Sequence, residues 1–257
     1  MKIEIRQQAL LEILDFLYVD GLFPFPIIST KKGKLISAQY DKDGFSYRYA
    51  GFEGDYFKSI TTEEEYVKLD VEAIKKSINL RNADSILTLE YPCNNNELKI
   101  SDNYLSDFYP TTKLDKAEKN QALPFELKDK IPYIEDNIAL DTHIIMGAPS
   151  FKMMSDSASS HGTDFYKFTV NRETRDVEIK IGEIQAMEDY AIYKPPTCKV
   201  LNINENVDVT FMKGIKQIAK TFNRDINIYL RTNMPAWFQE VSEHHRLGVL
   251  ISPVLEQ

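Results

Sequence analysis

The chain has 257 residues, 43% apolar and 27% charged, with a formal net charge of -8. This is room for one large or two ordinary soluble domains. The acid excess excludes a protein coated in nucleic acid, but not one that gathers its cations on a single surface. No run approaches the roughly 20 apolar residues of a membrane span. The first residues, interrupted by Glu4, Arg6 and Glu12, are not a signal peptide. Two cysteines, Cys93 and Cys198, lack metal-ligand spacing and suit a reducing intracellular compartment, cytoplasm or nucleus.

Met1 to Ile5 alternates like a strand, and Gln7 to Leu17 follows as a helix with Leu10, Ile13, Leu14 and Leu17 on one face and Gln8, Glu12 and Asp15 on the other. Strands Leu35 to Tyr40 and Phe45 to Tyr49 flank the turn Asp41-Lys42-Asp43-Gly44. After a strand at Tyr66 to Leu69, Asp70 is placed to cap a helix over Val71 to Leu80. Val71, Ile74 and Ile78 are its apolar stripe, and Lys75, Lys76 and Asn79 point elsewhere. Strands Ser85 to Tyr91 and Glu97 to Ser101 follow.

Residues 102–137 lose periodicity, carry Pro110, Pro124 and Pro132, and read as a connector with Leu123-Pro124-Phe125 as an anchor. The boundaries expected are 1–115, a connector at 116–135, and 136–257.

The second part resumes with a strand at Ile138 to Met146 and a helix at Phe151 to Ser160 that Gly162 ends in the left-handed conformation. Phe151, Met154 and Ala158 form one face of that helix; Lys152, Ser155, Asp156 and Ser159 form the other. Strands are expected at Phe165 to Val170, Val177 to Ile181 and Lys199 to Ile203, with Asp176 to Ile181 a candidate edge for strand addition between subunits. A last helix is expected over Phe211 to Phe222, with Phe211, Ile215, Ile218 and Phe222 in one stripe and Lys213, Lys216 and Lys220 opposite. Strands Ile226 to Leu230, Ala236 to Val241 and Leu247 to Ile251 close the chain. Ile74-Lys75 falls opposite Ile215-Lys216 when the halves are laid side by side, and the order of elements agrees. The pattern is a tandem duplication of an α+β domain with two helices and many strands.

Catalytic and cofactor signatures are missing. There is no GxxxxGK[ST] or GxGxxG loop. His143, in an apolar strand, reads as a satisfied core residue. Glu243-His244-His245 carries metal-ligating side chains, but adjacent side chains on a strand point to opposite faces and in a polar turn they are solvated. The serines around His161 have no elbow sequence and no orienting acid. Neither a cofactor nor a metal nor an enzymatic activity is expected. What remains is lysine-bearing helix faces on an acidic, duplicated protein. Lysine gives phosphate a point charge, which supports sequence-independent contact with DNA.

The run Asp208 to Leu255 resembles the C-terminal part of the ring-shaped DNA sliding clamps of the PCNA type. The residues that carry the resemblance are DVTF, MKGIKQIAKTF, INIYL, the turn Asn233-Met234-Pro235, AWFQEV, and the aliphatic-small-Pro ending Leu250-Ile251-Ser252-Pro253. Tyr66 to Ser101 is similar to the matching part of the first clamp domain, and Phe108 to Phe125 is similar to the connector of tailed-phage clamps. The pattern suits a divergent viral, phage or archaeal member.

The resemblance implies a DNA clamp fold of two topologically similar domains, each with two helices packed on antiparallel sheets. It implies a homotrimeric ring around double-stranded DNA that serves as a processivity factor, with a DNA polymerase and a clamp loader as partners. By position it implies channel-facing Lys75, Lys76, Lys152, Lys213, Lys216 and Lys220. It also implies a partner-peptide pocket of Tyr40, Leu127, Pro235, Leu250, Ser252 and Pro253. The first helix departs from the pattern: Glu12 and Asp15 stand on its polar face and only Arg6, near its start, is basic. That departure favours the alternative, a clamp-fold accessory protein that does not encircle DNA. An unrelated two-domain enzyme is the third reading.

Overall fold

The computed structural model describes residues 1–19, 22–93, 96–116, 118–119, 122–128, 131–134, 137–182, 190–212, 214–219 and 221–254. Two compact units emerge. Unit 1 holds Met1–Lys42, Arg48–Ala122 and Ser242–Leu247; unit 2 holds Asp43–Tyr47, Leu123–Val241 and Gly248–Gln257.

The first half of the chain runs β1 (Lys2–Arg6), α1 (Gln7–Leu17), β2 (Ile27–Lys31), β3 (Lys34–Tyr40), β4 (Ser46–Phe52), β5 (Phe57–Ile60), β6 (Glu65–Lys68), α2 (Val71–Ile78), β7 (Ile86–Cys93), β8 (Glu97–Ser101) and β9 (Ser106–Pro110). A small sheet follows, made of β10 (Glu126–Lys128), β11 (Ile131–Ile134) and β12 (Ile138–Ala139). The second half runs β13 (Thr142–Met146), α3 (Ala148–Ser160), β14 (Phe165–Val170), β15 (Val177–Ile181), β16 (Ala191–Tyr193), β17 (Cys198–Asn202), β18 (Val207–Met212), α4 (Ile215–Ile218), β19 (Ile226–Leu230), β20 (Ala236–Val241) and β21 (His245–Ile251).

Both halves follow one order: strand, helix, five strands, helix, three strands. Their pairing is also the same. The order β5-β1-β7-β8-β9 answers to β17-β13-β19-β20-β21, and β4-β3-β2-β6 answers to β16-β15-β14-β18. The pairings of β1 with β5 and of β13 with β17 each carry a register shift. All recorded strand pairs are antiparallel, so the α+β class and the duplication both stand. Strand β21 runs beside β4, and each unit contains a piece of that pairing. In unit 1 the amide of Glu53 donates to the carbonyl of His244 at 2.9 Å; in unit 2 the amide of Ser252 donates to that of Phe45 at 3.0 Å.

Helix α1 has the bounds its periodicity predicts, with Leu10, Ile13, Leu14 and Leu17 buried. Its C-terminal carbonyls would be left without donors, and the buried Arg48 meets them. The guanidinium donates to Phe16 and Leu17 and lies 4.4 Å over the Phe23 ring. Burial pulls the Arg48 pKa down to about 9. Asp70 caps α2 as expected, its Oδ1 accepting from the Ala73 amide at 3.0 Å. Phe125 anchors the connector segment by burying its ring against Trp237, centroids 4.8 Å apart. Trp237 in turn lies where only a glycine fits: a Cβ on Gly248 would stand 2.1 Å from its Cζ2.

The expected Phe211 to Phe222 helix is corrected. Phe211 and Met212 end β18, and α4 covers only Ile215–Ile218. The β-branched and aromatic run Val209-Thr210-Phe211 pairs with β14, Tyr166 opposite Phe211. Gly214, at φ +83°, then turns the chain between strand and helix. Helical spacing was misleading here because Phe211 reaches the same core from a strand. The strand expected at Ile138 to Met146 is two strands, β12 and β13. The stretch at 102–137 read as a connector contains β9 and two strands of the small sheet, β10 and β11. Asp176 to Ile181 is not an edge, because β15 is paired on both sides, by β14 and β16.

Candidate nucleic-acid interface

In unit 1, α1 packs beside α2. The Tyr18 hydroxyl donates to Glu72 Oε1 at 2.6 Å, and the Lys75 ammonium is ion-paired with Asp15. Lys76, Gln8, Glu12, Asp15 and Glu72 are exposed, and Lys75 is half-buried. The two helices carry Glu12, Asp15 and Glu72 against Lys75 and Lys76.

In unit 2, α3 packs beside α4. Phe151, Met154 and Ala158 are fully buried, as their spacing predicts. Ser155 is not on the outer face expected for it. It is buried, and its hydroxyl donates to the Lys216 carbonyl at 3.4 Å. A short polar side chain permits close approach of the helices and still has an acceptor. The Lys152 ammonium reaches Asn223 Oδ1 at 3.4 Å. Lys152 and Lys216 are half-exposed, and among the described residues neither has a carboxylate at ion-pair distance. Asp156 is the acid that α3 and α4 carry against them. Lys213 and Lys220 lie outside the described residues.

The residues expected to form a peptide pocket are divided. Tyr40 ends β3 in unit 1 and is exposed. The other five belong to unit 2. Leu127 stands on β10 and is just exposed, Pro235 sits half-buried in the β19–β20 turn, and Leu250 is buried on β21. Ser252 and Pro253 follow β21 and are held on two sides, by Ser252 N–H to Phe45 O and by Val254 N–H to Thr210 O at 2.8 Å.

Among the described residues, His143 and His161 sit in packing and capping roles. His143 stacks on Tyr229 at 4.3 Å and bonds to Asn227 through Nε2 at 2.9 Å; burial lowers its pKa, with Asn227 opposing. His161 caps α3 beside Ser157 and Ser160. Among the described residues no group of three or more His, Cys, Asp or Glu is placed to hold a metal ion, and no helix is long and apolar enough to cross a membrane. Sequence reasoning missed Asp15 as the partner of Lys75, because the two are 60 residues apart and on different helices.

Two halves of one topology, each with a helix pair against antiparallel sheets, define the PCNA-type sliding-clamp fold. Three solved structures share it along their whole lengths. The PCNA of Entamoeba histolytica superposes with a TM-score of 0.78 at 12% identity, covering 99% of this chain and 98% of that one. The PCNA of A. fulgidus, bound to the C-terminal region of FEN-1, gives 0.74 at 16% identity, with 100% and 99% covered. The PCNA of Thermococcus kodakaraensis gives 0.73 at 12% identity, with 98% and 99% covered. No protein-family model and no curated protein matches the sequence.

Proposed function

We propose that this chain is a DNA sliding clamp, a noncatalytic ring around duplex DNA that tethers a polymerase and is opened by a clamp loader inside the cell. Its clamp domains are 1–115 and 136–257, joined by a connector at 116–135. The observation that carries the reading is the repeat of topology together with the edges it leaves. Strand β9 is the counterpart of β21, and β16 is the counterpart of β4. Strands β21 and β4 are neighbours within the chain, whereas β9 and β16 each end a sheet among the described residues. A second copy supplies the missing neighbour head to tail, and such heterologous contacts form a ring when the rotation between copies closes. A homotrimer is the ring that the likeness to PCNA suggests.

Lys75, Lys76, Lys152, Lys213, Lys216 and Lys220 then offer point charges to the DNA backbone, a weak and sequence-independent attraction that a closed ring turns into retention. A short partner peptide, of the kind the A. fulgidus PCNA takes from FEN-1, docks on unit 2 at Leu127, Pro235, Leu250, Ser252 and Pro253. Sedimentation equilibrium tests the ring: three times the 29.7 kDa chain mass is expected, with retention on closed circular DNA and loss from linear DNA. A monomer at all concentrations sinks the reading.

The second reading, a clamp-fold accessory protein that does not encircle DNA, is favoured by the Lys75–Asp15 ion pair and by the acids of α1. It predicts that mass of one chain.

A further inference from the structure

The β8–β9 hairpin of unit 1 is held by one buried cation. Arg81, just past α2, has a side chain 2% exposed. Its guanidinium pairs with Asp107 on β9 and with Asp102 at the hairpin tip, the latter at 3.4 Å. It also donates to the carbonyls of Ile100 at 3.3 Å and Leu105 at 3.5 Å. Asp102 Oδ1 accepts the amides of Tyr104 and Leu105, both at 2.8 Å, and the Ser77 hydroxyl donates to Asp107. One side chain therefore grips the end of β8, the tip and the edge strand together.

Cohesion alone does not account for this. A buried ion pair is often no more stabilising than apolar residues of the same volume. Its geometry is the informative part. Strand β9 pairs only with β8 among the described residues. It displays Phe108 at 47% exposure, next to Leu105 at 46% and Tyr104 at 96%. An inward-pointing charge on an edge strand is a common way to prevent pairing. Asp107 is such a charge, and Arg81 neutralises it. The inward charge on the edge strand is therefore paired, by Arg81 and by the Ser77 hydroxyl. On unit 2, β16 ends its sheet and exposes Ile192 at 52%, beside Tyr190 at 50%.

We propose that Arg81, with Asp102, Asp107 and Ser77, is the positioning device for self-association: it holds the β8–β9 hairpin so that β9 adds to strand β16 of a second copy of this chain. This rests on the ring reading above. The test compares wild type with Arg81→Lys, Asp107→Asn and Phe108→Ala by sedimentation equilibrium and by amide exchange at β9, with unfolding followed by Trp237, the one tryptophan.

Arg81→Lys and Asp107→Asn are expected to weaken self-association at least about tenfold and to speed exchange at β9 while the Trp237 transition stays put. Phe108→Ala is expected to weaken association with β9 exchange unchanged. Wild type assembling while both charge variants assemble with the same constant overturns the proposal and leaves the ring standing. Wild type remaining a monomer removes the ring reading and the proposal with it. Should Arg81→Lys fail to fold, Ser77→Ala removes one hydrogen bond and no charge; association unchanged in that variant also overturns the proposal.

Discussion

Units 1 and 2 reach one topology with different materials. The centre of unit 1 is aliphatic, with Leu10, Ile13, Leu14, Leu17, Leu35, Leu69, Ile74, Leu89, Leu98 and Ile100 closing around a void of about 10 Å³, while the buried rings of Phe16, Phe23 and Phe52 lie outside that cluster. The core of unit 2 is a ring cluster in which Phe238 meets Phe151, Phe168 and Phe211 at 5.8 to 6.3 Å. Their polar anchors also run in opposite senses. In unit 1 a cation after α2 reaches carboxylates on the β8–β9 hairpin. In unit 2 the buried carboxylate of Glu240, on β20, reaches back to accept the amides of Asn223 and Arg224, at 2.8 and 3.0 Å, after α4. Pairing order and the burial of a few equivalent positions are common to both, so these define the domain; the chemistry that fills them is exchangeable.

The comparison is sharpest in the cores. Phe238→Ala should cost about 3–5 kcal/mol, the upper range for a buried ring. Ile74→Ala in unit 1 should cost about 2–5 kcal/mol. Urea unfolding read by Trp237 and by far-UV signal separates the two; a Phe238→Ala loss below that of Ile74→Ala would deny the ring cluster its role. Next come the helix-end anchors. Glu240→Ala leaves two amides without their acceptor and should cost about 1–3 kcal/mol, against about 1 kcal/mol for removing the Asp70 cap.

Acid should act on the units in sequence. Burial holds the His143 imidazole of unit 2 below its ordinary value of 6.5, against the opposing Asn227 bond. Its stabilisation is present above that value and is lost as pH falls through the lowered folded one. In unit 1, the Tyr104 amide first, then the Leu105 amide and Arg81, hold Asp102 below the ordinary 3.8. Its contribution is present above 3.8 and is lost as pH falls through a lower value still. His143→Gln should flatten the stability profile just below neutrality, and Asp102→Asn only the acid limb. Chemical-denaturation midpoints against pH measure both.

The smallest effect concerns DNA. If Lys216 meets phosphate, Lys216→Ala should lower the salt slope of DNA retention by about 0.9 for each subunit whose Lys216 makes that contact. Lys75→Ala should change it less, since Asp15 already shields that ammonium, and Asp15→Asn should raise it. Equal slopes for the two lysine variants would erase the distinction between the helix pairs.

How much of this was legible in advance follows the range of the interaction. The bounds of α1, the Asp70 cap, the buried stripe of α2 and most strands are set by neighbours in sequence, and periodicity and cap chemistry report those directly. The failure at Phe211 had a local sign, the glycine at 214, but helical spacing and a strand feeding the same core leave the same apolar mark.

By itself, the sequence determined the α+β class, the duplicated order of elements and where Lys75, Lys76 and Lys152 stand on α2 and α3, because these follow from spacing and from the chemistry of adjacent residues. Only the tertiary structure decided which strands are edges, that Ser155 is buried against the Lys216 carbonyl, that Asp15 shields Lys75, and that Arg81 binds Asp102 and Asp107. Each depends on residues distant in the chain meeting across packed elements, and side-chain charges and hydroxyls carry no record of their partners until packing brings them within a few ångströms.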